Sequence, residues 1–176
     1  MRKQVPLYRV LVAFFVLPVT VLVVIPIGLH TILPAGCTRT LIHFRIQQVF
    51  AVLLSVIGLG MLYATNVLFL RYGKGTLAPW SPPEKLVIRG PYRYMRQPMI
   101  FGVFMVLLGE AVWLASWASI GWLIIFVTSN LIYIPLIEEK ALQMRFGESY
   151  EKYRHNVRSW IPRLAPWSDE AREDER

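Results

Sequence analysis

Apolar positions along this chain gather into three long blocks separated by charged stretches. Val10 to Leu29 carries no charge over 20 positions, and Val49 to Leu70 carries none over 22. A run of about 20 apolar residues matches a hydrocarbon layer of about 30 Å, so each block predicts a membrane-spanning helix. The third block, Met99 to Ile137, is 39 residues long with Glu110 as its single charge. As one helix it would measure about 58 Å, about twice the hydrocarbon thickness. It therefore predicts two short helices joined by a tight turn around Ala115-Ser116-Trp117-Ala118-Ser119. The expected fold is all-α: an integral membrane bundle of about four transmembrane helices, spanning about residues 10–29, 49–70, 99–115 and 118–137. These belong to a single domain, 1–167. Residues 168–176 are polar apart from one alanine and are expected to form a disordered tail.

Pro18, Pro26 and Pro135 fall inside the apolar runs, where neighbouring helices and local backbone adjustments satisfy freed carbonyls, and they predict kinks. Beyond the last block, Leu142, Phe146, Tyr150 and Tyr153 recur at offsets of 4, 4 and 3. That spacing lines one face of a helix and leaves Lys140, Arg145, Glu148, Glu151 and Lys152 outside the stripe. Such an amphipathic helix either rests on lipid headgroups, with Trp160 and Trp167 as interfacial anchors, or continues out of the fourth span and closes over a site. Gly147 costs about 1 kcal/mol relative to alanine inside a helix, so a bend is expected there, and Pro162 limits the helix.

Charge orients the bundle. Residues 1–9, 71–98 and the segment after Ile137 fall on one side by parity and hold 17 of the 19 Lys and Arg residues; Arg39 and Arg45 face the other side. The positive-inside rule makes the basic side, with both termini and the 71–98 loop, cytoplasmic. The net charge of +8 then follows from topology and attraction to anionic lipid. Nucleic-acid binding is excluded, because no soluble domain is present to carry a basic recognition face. Arg2 and Lys3 before an apolar run, then Leu33 to Cys37, resemble a cleaved lipoprotein signal, but the apolar core exceeds the usual 7 to 15 or so residues and a retained first helix is expected. Cys37 is the sole cysteine, and His30, His43 and His155 are scattered, so no metal site is expected. Gly58-Leu59-Gly60 lies within a spanning helix, and Gly73-Lys74-Gly75-Thr76 lacks the strand and earlier glycine of a phosphate loop. Glu110 lies about 9 Å from the outer boundary, far from the basic face, and a structural role is expected for it.

The 28 residues from Arg71 to Pro98 are more than a connector requires, and Pro79, Pro82, Pro83, Pro91 and Pro98 stiffen them. Tyr92, Tyr94 and Trp80 offer flat apolar surfaces, while Arg89, Arg93 and Arg96 offer anion contacts. The loop suits a cofactor with an aromatic base and a carboxylate, and equally suits lipid headgroups. Glu138 and Glu139 likewise read either as functional acids or as a solvated helix start.

Gly90-Pro91-Tyr92-Arg93-Tyr94-Met95-Arg96-Gln97-Pro98-Met99-Ile100-Phe101-Gly102, followed by Glu138-Glu139, Leu142, Phe146-Gly147, Tyr150, Tyr153 and Ile161-Pro162, resembles the isoprenylcysteine carboxyl methyltransferase family, related to the phospholipid N-methyltransferases. The match runs from about Leu86 to Pro162. The resemblance implies a membrane methyltransferase that takes S-adenosylmethionine as methyl donor at the cytoplasmic face and a lipophilic or lipid-modified acceptor from the bilayer. It implies cofactor contacts from Lys85, Leu86, Val87 and Tyr92, from Gln97, Pro98, Met99 and Ile100, and from Glu138, with Glu138 and Glu139 as the catalytic acids. Gln97 stands where the family has His, and Ile100 where it has Tyr, losing a titrating group and a hydroxyl. Ile134 stands where the prenylcysteine enzymes carry an Arg for the substrate carboxylate. The alternatives are an NADPH-dependent membrane reductase of steroid-reductase type and a non-catalytic membrane scaffold.

Overall fold

The computed structural model describes residues 18–32, 44–68, 71–72, 86 and 88–168. Residues 10–17 of the expected first span, Cys37, most of the 71–85 loop with Trp80 and Lys85, Val87, and the tail from 169 onward lie outside the described residues.

Helices dominate the described residues. A π-helical turn, Thr20–Val24, leads into α1 (Ile25–Ile32). Then come α2 (Phe44–Leu68), α3 (Pro98–Leu114) and α4 (Trp117–Tyr133), and a second π-helical turn, Ile134–Glu138, joins α4 to α5 (Glu139–Phe146). The last helix is α6 (Glu148–Asn156). Arg45–Leu68 and Trp117–Phe146 are long and apolar enough to cross a membrane. Thr20–Ile32 and Pro98–Leu114 are shorter apolar helices. Much of α2 and α4 turns large apolar side chains outward, among them Phe50, Leu53, Ile57, Ile124, Ile125 and Ile132. Outward faces of that kind suit lipid and not water.

The third apolar block divides at Ala115, which takes a left-handed conformation (φ 45°) and closes α3 through its N–H to the Ala111 carbonyl. Ser116 then caps α4, its Oγ accepting from the Ala118 N–H at 3.3 Å. Capping satisfies a donor that the helix start leaves orphaned. Proline explains the two π-helical turns. Pro26 follows the first and Pro135 lies inside the second, where the Glu139 N–H reaches back five residues to the Ile134 carbonyl. A one-residue widening absorbs the hydrogen bond that proline cannot donate.

Packing centres on α2 against α3. A Cβ on Gly58 would stand 2.6 Å from the Gly102 carbonyl oxygen, and one on Gly109 would stand 2.8 Å from that of Ala51. Small residues thus let the two backbones meet, the usual route to helix association where lipid removes the hydrophobic drive. Leu22, Leu62, Val103, Val106 and Leu107 form the core, joined by Met99, Trp122 and Phe126. The first π-helical turn is tied to α4 by Trp122, whose indole N–H donates to the Val21 carbonyl at 3.1 Å, and α1 by a 3.1 Å hydrogen bond between His30 Nε2 and Ser119 Oγ.

The amphipathic stretch is two helices and not one bent rod. Gly147 sits at φ 51°, ψ −130°, ending α5 with its N–H on the Gln143 carbonyl and starting α6. The apolar stripe survives the break because the chain folds back on itself. Tyr150, Tyr153 and Val157 are buried against Leu86, Ile88, Leu142, Phe146 and Trp167. The stripe therefore covers the loop before α3. Trp167 packs on Tyr153 at 5.7 Å between ring centroids, inside the protein's own fold.

Candidate active site

Three segments converge at one end of the bundle: the loop entering α3, the junction of α4 with α5, and the chain after α6. The loop forms a 3₁₀ turn, Gly90–Arg93, entered by Gly90 at φ 55° and Pro91 in the first turn. The Tyr92 N–H bonds the Arg89 carbonyl at 3.2 Å, and the Tyr94 N–H bonds that of Pro91 at 3.0 Å. Tyr92 and Met95 point inward and are buried. The chain then enters α3 at Pro98, where a missing N–H has no consequence.

Residues 157–167 strap this loop down. The Arg96 N–H donates to the Arg158 carbonyl (2.9 Å) and that of Gln97 to Ser159 (3.2 Å), while the N–H groups of Arg163 and Trp167 donate to the Tyr94 and Arg93 carbonyls (both 2.9 Å). The Arg93 Nε–H returns a bond to the Trp167 carbonyl at 2.8 Å. The Tyr153 hydroxyl completes the seam from α6 by donating to the Tyr92 carbonyl at 2.7 Å.

The neighbouring acids have different surroundings. Glu138 is half-buried, and the buried Gln97 side chain donates to its Oε1 at 3.0 Å. Its Oε2 accepts no hydrogen bond from a described residue. Glu139 is buried and fully engaged. Arg96 Nη2 lies 2.9 Å from its Oε1, which also accepts from Ser159 Oγ at 3.0 Å. Arg154 Nε lies 3.2 Å from its Oε2. Arg96 also donates from Nη2 to Ser159 Oγ (2.5 Å) and from Nη1 to the Tyr150 hydroxyl (3.5 Å). Successive helical residues point about 100° apart, and here the two carboxylates go to different partners.

Electrostatics keeps the three phenols protonated. Burial, then the neighbouring Tyr153 and Glu138, push the Tyr92 hydroxyl above the ordinary tyrosine range. Burial raises Tyr153 as well, with the Arg96 charge opposing. Tyr150 is pushed up to about 12, chiefly by burial and then by the Glu139 charge. At neutral pH each is a hydrogen-bond donor.

Of the other residues singled out in the sequence, Leu86 is half-buried against the α6 cluster. Pro98 is fully buried, Met99 packs into the α2–α3 core, and Ile100 is half-buried on α3. Arg96, which the sequence offers as an anion contact, is a half-buried ion-pair partner of Glu139 in the fold. Ser159 and Arg154 carried no sequence signal, because their role depends on a chain reversal that no local pattern announces. Among the described residues, no three His, Cys, Asp or Glu side chains converge as metal ligands would.

A model of the phospholipid methyltransferase family matches residues 46–149 of the chain, from α2 to α6. Searches of curated proteins and of solved structures return no match.

Proposed function

Because the chain belongs to the phospholipid methyltransferase family and is by that membership a membrane methyltransferase, we propose that it binds S-adenosylmethionine against the 86–100 loop and methylates a lipophilic acceptor at the cytoplasmic boundary of the bilayer. The observation that carries this reading is the hydrogen bond from Gln97 to Glu138. It joins the loop to the junction of α4 and α5, so the two halves of the sequence pattern lie together, which supports a single site there. In the same reading α1 and α3 cross the membrane beside α2 and α4, with both termini cytoplasmic.

The residues fit such a cofactor. A half-buried carboxylate with one oxygen unmet by described residues, next to a buried tyrosine, suits an ammonium group and a flat base. S-adenosylmethionine, when bound, supplies an electrophilic methyl group on a sulfonium. What the protein must do is hold donor and acceptor in line and near contact. Glu138 supplies negative charge at a face crowded with arginine, and Gln97 fixes its orientation. Gln97 does so by hydrogen bonding alone, where a histidine would also titrate. Leu86 lies at the loop edge of the proposed site, with Pro98, Met99 and Ile100 in the first turn of α3; Lys85 and Val87 are proposed as cofactor contacts on the sequence resemblance alone.

Glu139 acts in this reading as a positioning residue that clamps α5, α6 and the strap around the loop. A carboxylate acceptor, as in isoprenylcysteine carboxyl methylation, needs no general base. An amine or thiol acceptor needs one, and Glu138 is the candidate.

Purified protein in detergent should retain tritiated S-adenosylmethionine, and excess NADPH should leave it in place. A methyl-transfer screen over membrane lipid extracts, read by the mass of the labelled product, identifies the acceptor. Displacement by NADPH would point to a reductase, and absence of retention to a scaffold.

A further inference from the structure

Helix α2 carries an asparagine that the site described above does not use. The side-chain oxygen of Asn66, Oδ1, is buried and accepts no hydrogen bond in the described structure. A covered acceptor without a partner is unfavourable, and native proteins retain few of them. Nothing in the α2–α3 packing requires an amide here. The neighbouring seam residue Thr65 meets its own needs by donating to the Met61 and Leu62 carbonyls at 2.8 and 3.0 Å.

The packing register locates Asn66 without ambiguity. Ala51 lies against Gly109, and Gly58 against Gly102, so the antiparallel helices advance together, seven residues to seven. The same register brings Leu62 level with Pro98, where α3 begins, so Asn66, one turn further along α2, lies past the start of α3 and beside the segment that enters it. Two further contacts bracket it. Leu62, one turn before Asn66, packs on Gly102, while Leu68, just after it, lies 3.5 Å from where a Cβ of Gly90 would stand. Asn66 thus sits beneath the 90–97 loop. Among the described residues, the other buried side-chain polar atom without a partner is Arg96 Nε, which belongs to that loop. An unmet acceptor and an unmet donor therefore occur on two segments that meet at the same end of the bundle.

We infer that Asn66 is a ligand-contacting residue, its Oδ1 accepting a hydrogen bond from an N–H group of the methyl donor bound on the adjoining loop. The inference rests on the proposed function, since it takes S-adenosylmethionine as the molecule held there. The amide turns toward a donor that arrives at the loop, because without one its oxygen stays covered and unmet. Two groups of that molecule carry N–H: the ammonium of its amino-acid end and the amino group of its purine.

The test compares wild type, Asn66→Leu and Asn66→Asp in detergent, with S-adenosylhomocysteine and 5′-methylthioadenosine as probes in equilibrium dialysis. The first probe has both N–H groups, and the second keeps only the purine's. Asn66→Leu is expected to bind S-adenosylhomocysteine roughly tenfold more weakly, the usual effect of one lost hydrogen bond. Asn66→Asp, which keeps an acceptor, is expected to bind more tightly than Asn66→Leu. Equal weakening of methylthioadenosine assigns the contact to the purine; weakening of S-adenosylhomocysteine alone assigns it to the ammonium. The ligand-free Asn66→Leu protein should melt no lower than wild type, since it loses an unmet polar atom; should it fail to fold, Asn66→Ala carries the same comparison. Unchanged affinity for both probes, or a lowered melting point with affinity lost equally in Asn66→Asp, overturns the assignment. If wild type itself binds neither probe, the cofactor reading beneath it fails instead.

Discussion

The Gln97 amide and the Glu138 carboxylate, 41 residues apart in sequence, meet at 3.0 Å where the loop entering α3 faces the junction of α4 with α5. Glu138 is the ionisable member of the pair, and in the proposed reading its second oxygen meets the ammonium group of the cofactor. Glu138→Gln should therefore keep the fold, since two amides still form a hydrogen bond. It should weaken S-adenosylmethionine binding roughly ten- to hundredfold, as expected for a lost charge-assisted contact. Equilibrium dialysis with labelled cofactor and a thermal melt of the same preparation separate the two effects. Wild-type affinity in Glu138→Gln would remove Glu138 from the site.

Glu139 calls for the opposite result, loss of stability before loss of chemistry. Its carboxylate and the Arg96 guanidinium are both nearly covered, at 6% and 11% exposure, so removing Glu139 leaves the covered Arg96 charge without its carboxylate. Such a change costs about 3–5 kcal/mol, whereas replacing both partners by apolar groups is often close to neutral. Glu139→Leu alone should lower the melting temperature sharply, and Arg96→Met with Glu139→Leu should recover much of it. Arg154 is about half exposed, and its pairing is worth far less in solvent. Arg154→Met should thus shift the melt little. A double variant no more stable than Glu139→Leu would show that the network does more than balance charge.

What the sequence discloses follows from how locally each feature is encoded. The break at Ala115–Ser116 is legible because one 39-residue apolar run is too long for a single crossing. The turn at Gly147 is legible because glycine interrupts an otherwise continuous stripe. The stripe's target, Leu86 and Ile88, is not legible, since periodicity says that a face is buried and not what buries it. The strap from Val157 to Trp167 is invisible for a further reason: it holds the loop through main-chain hydrogen bonds, which any sequence can make. Glu138 and Glu139 look equivalent as letters, and only the helix that carries them sends one to Gln97 and the other to Arg96.

Alkaline pH should loosen the α6 face. Tyr150 ionises near 10.0 when unfolded and near about 12 in the fold, so the native state holds its proton more tightly. The stabilisation from that phenol is fully present below pH 10 and is lost as pH rises toward 12, because the unfolded chain then releases a proton that the fold retains. The melting temperature should fall over that window, and Tyr150→Phe should flatten the fall. Absorbance at 295 nm should show Tyr150 ionising only toward pH 12 in the folded protein. Ionisation of Tyr150 near pH 10 without unfolding would contradict its buried placement.

The α2–α3 contact makes a prediction that separates close packing from glycine content. A Cβ at Gly58 would lie 2.6 Å from the Gly102 carbonyl oxygen and 2.9 Å from the Val106 nitrogen, whereas one at Gly60, half a turn away, would meet nothing within 4 Å. The atoms in the way at Gly58 are largely backbone, which cannot rotate aside, so the helices themselves must separate. Overpacking of that kind costs about 1–3 kcal/mol. Because the register of α2 on α3 also sets where Leu68 meets the loop at Gly90, the displacement reaches the proposed site. Gly58→Ala should therefore lower both the melting temperature and the affinity for S-adenosylmethionine. Gly60→Ala should leave both unchanged, or raise the melting temperature slightly through its better helix propensity. Equal effects at the two positions would mean that α2 and α3 are not in contact along this seam.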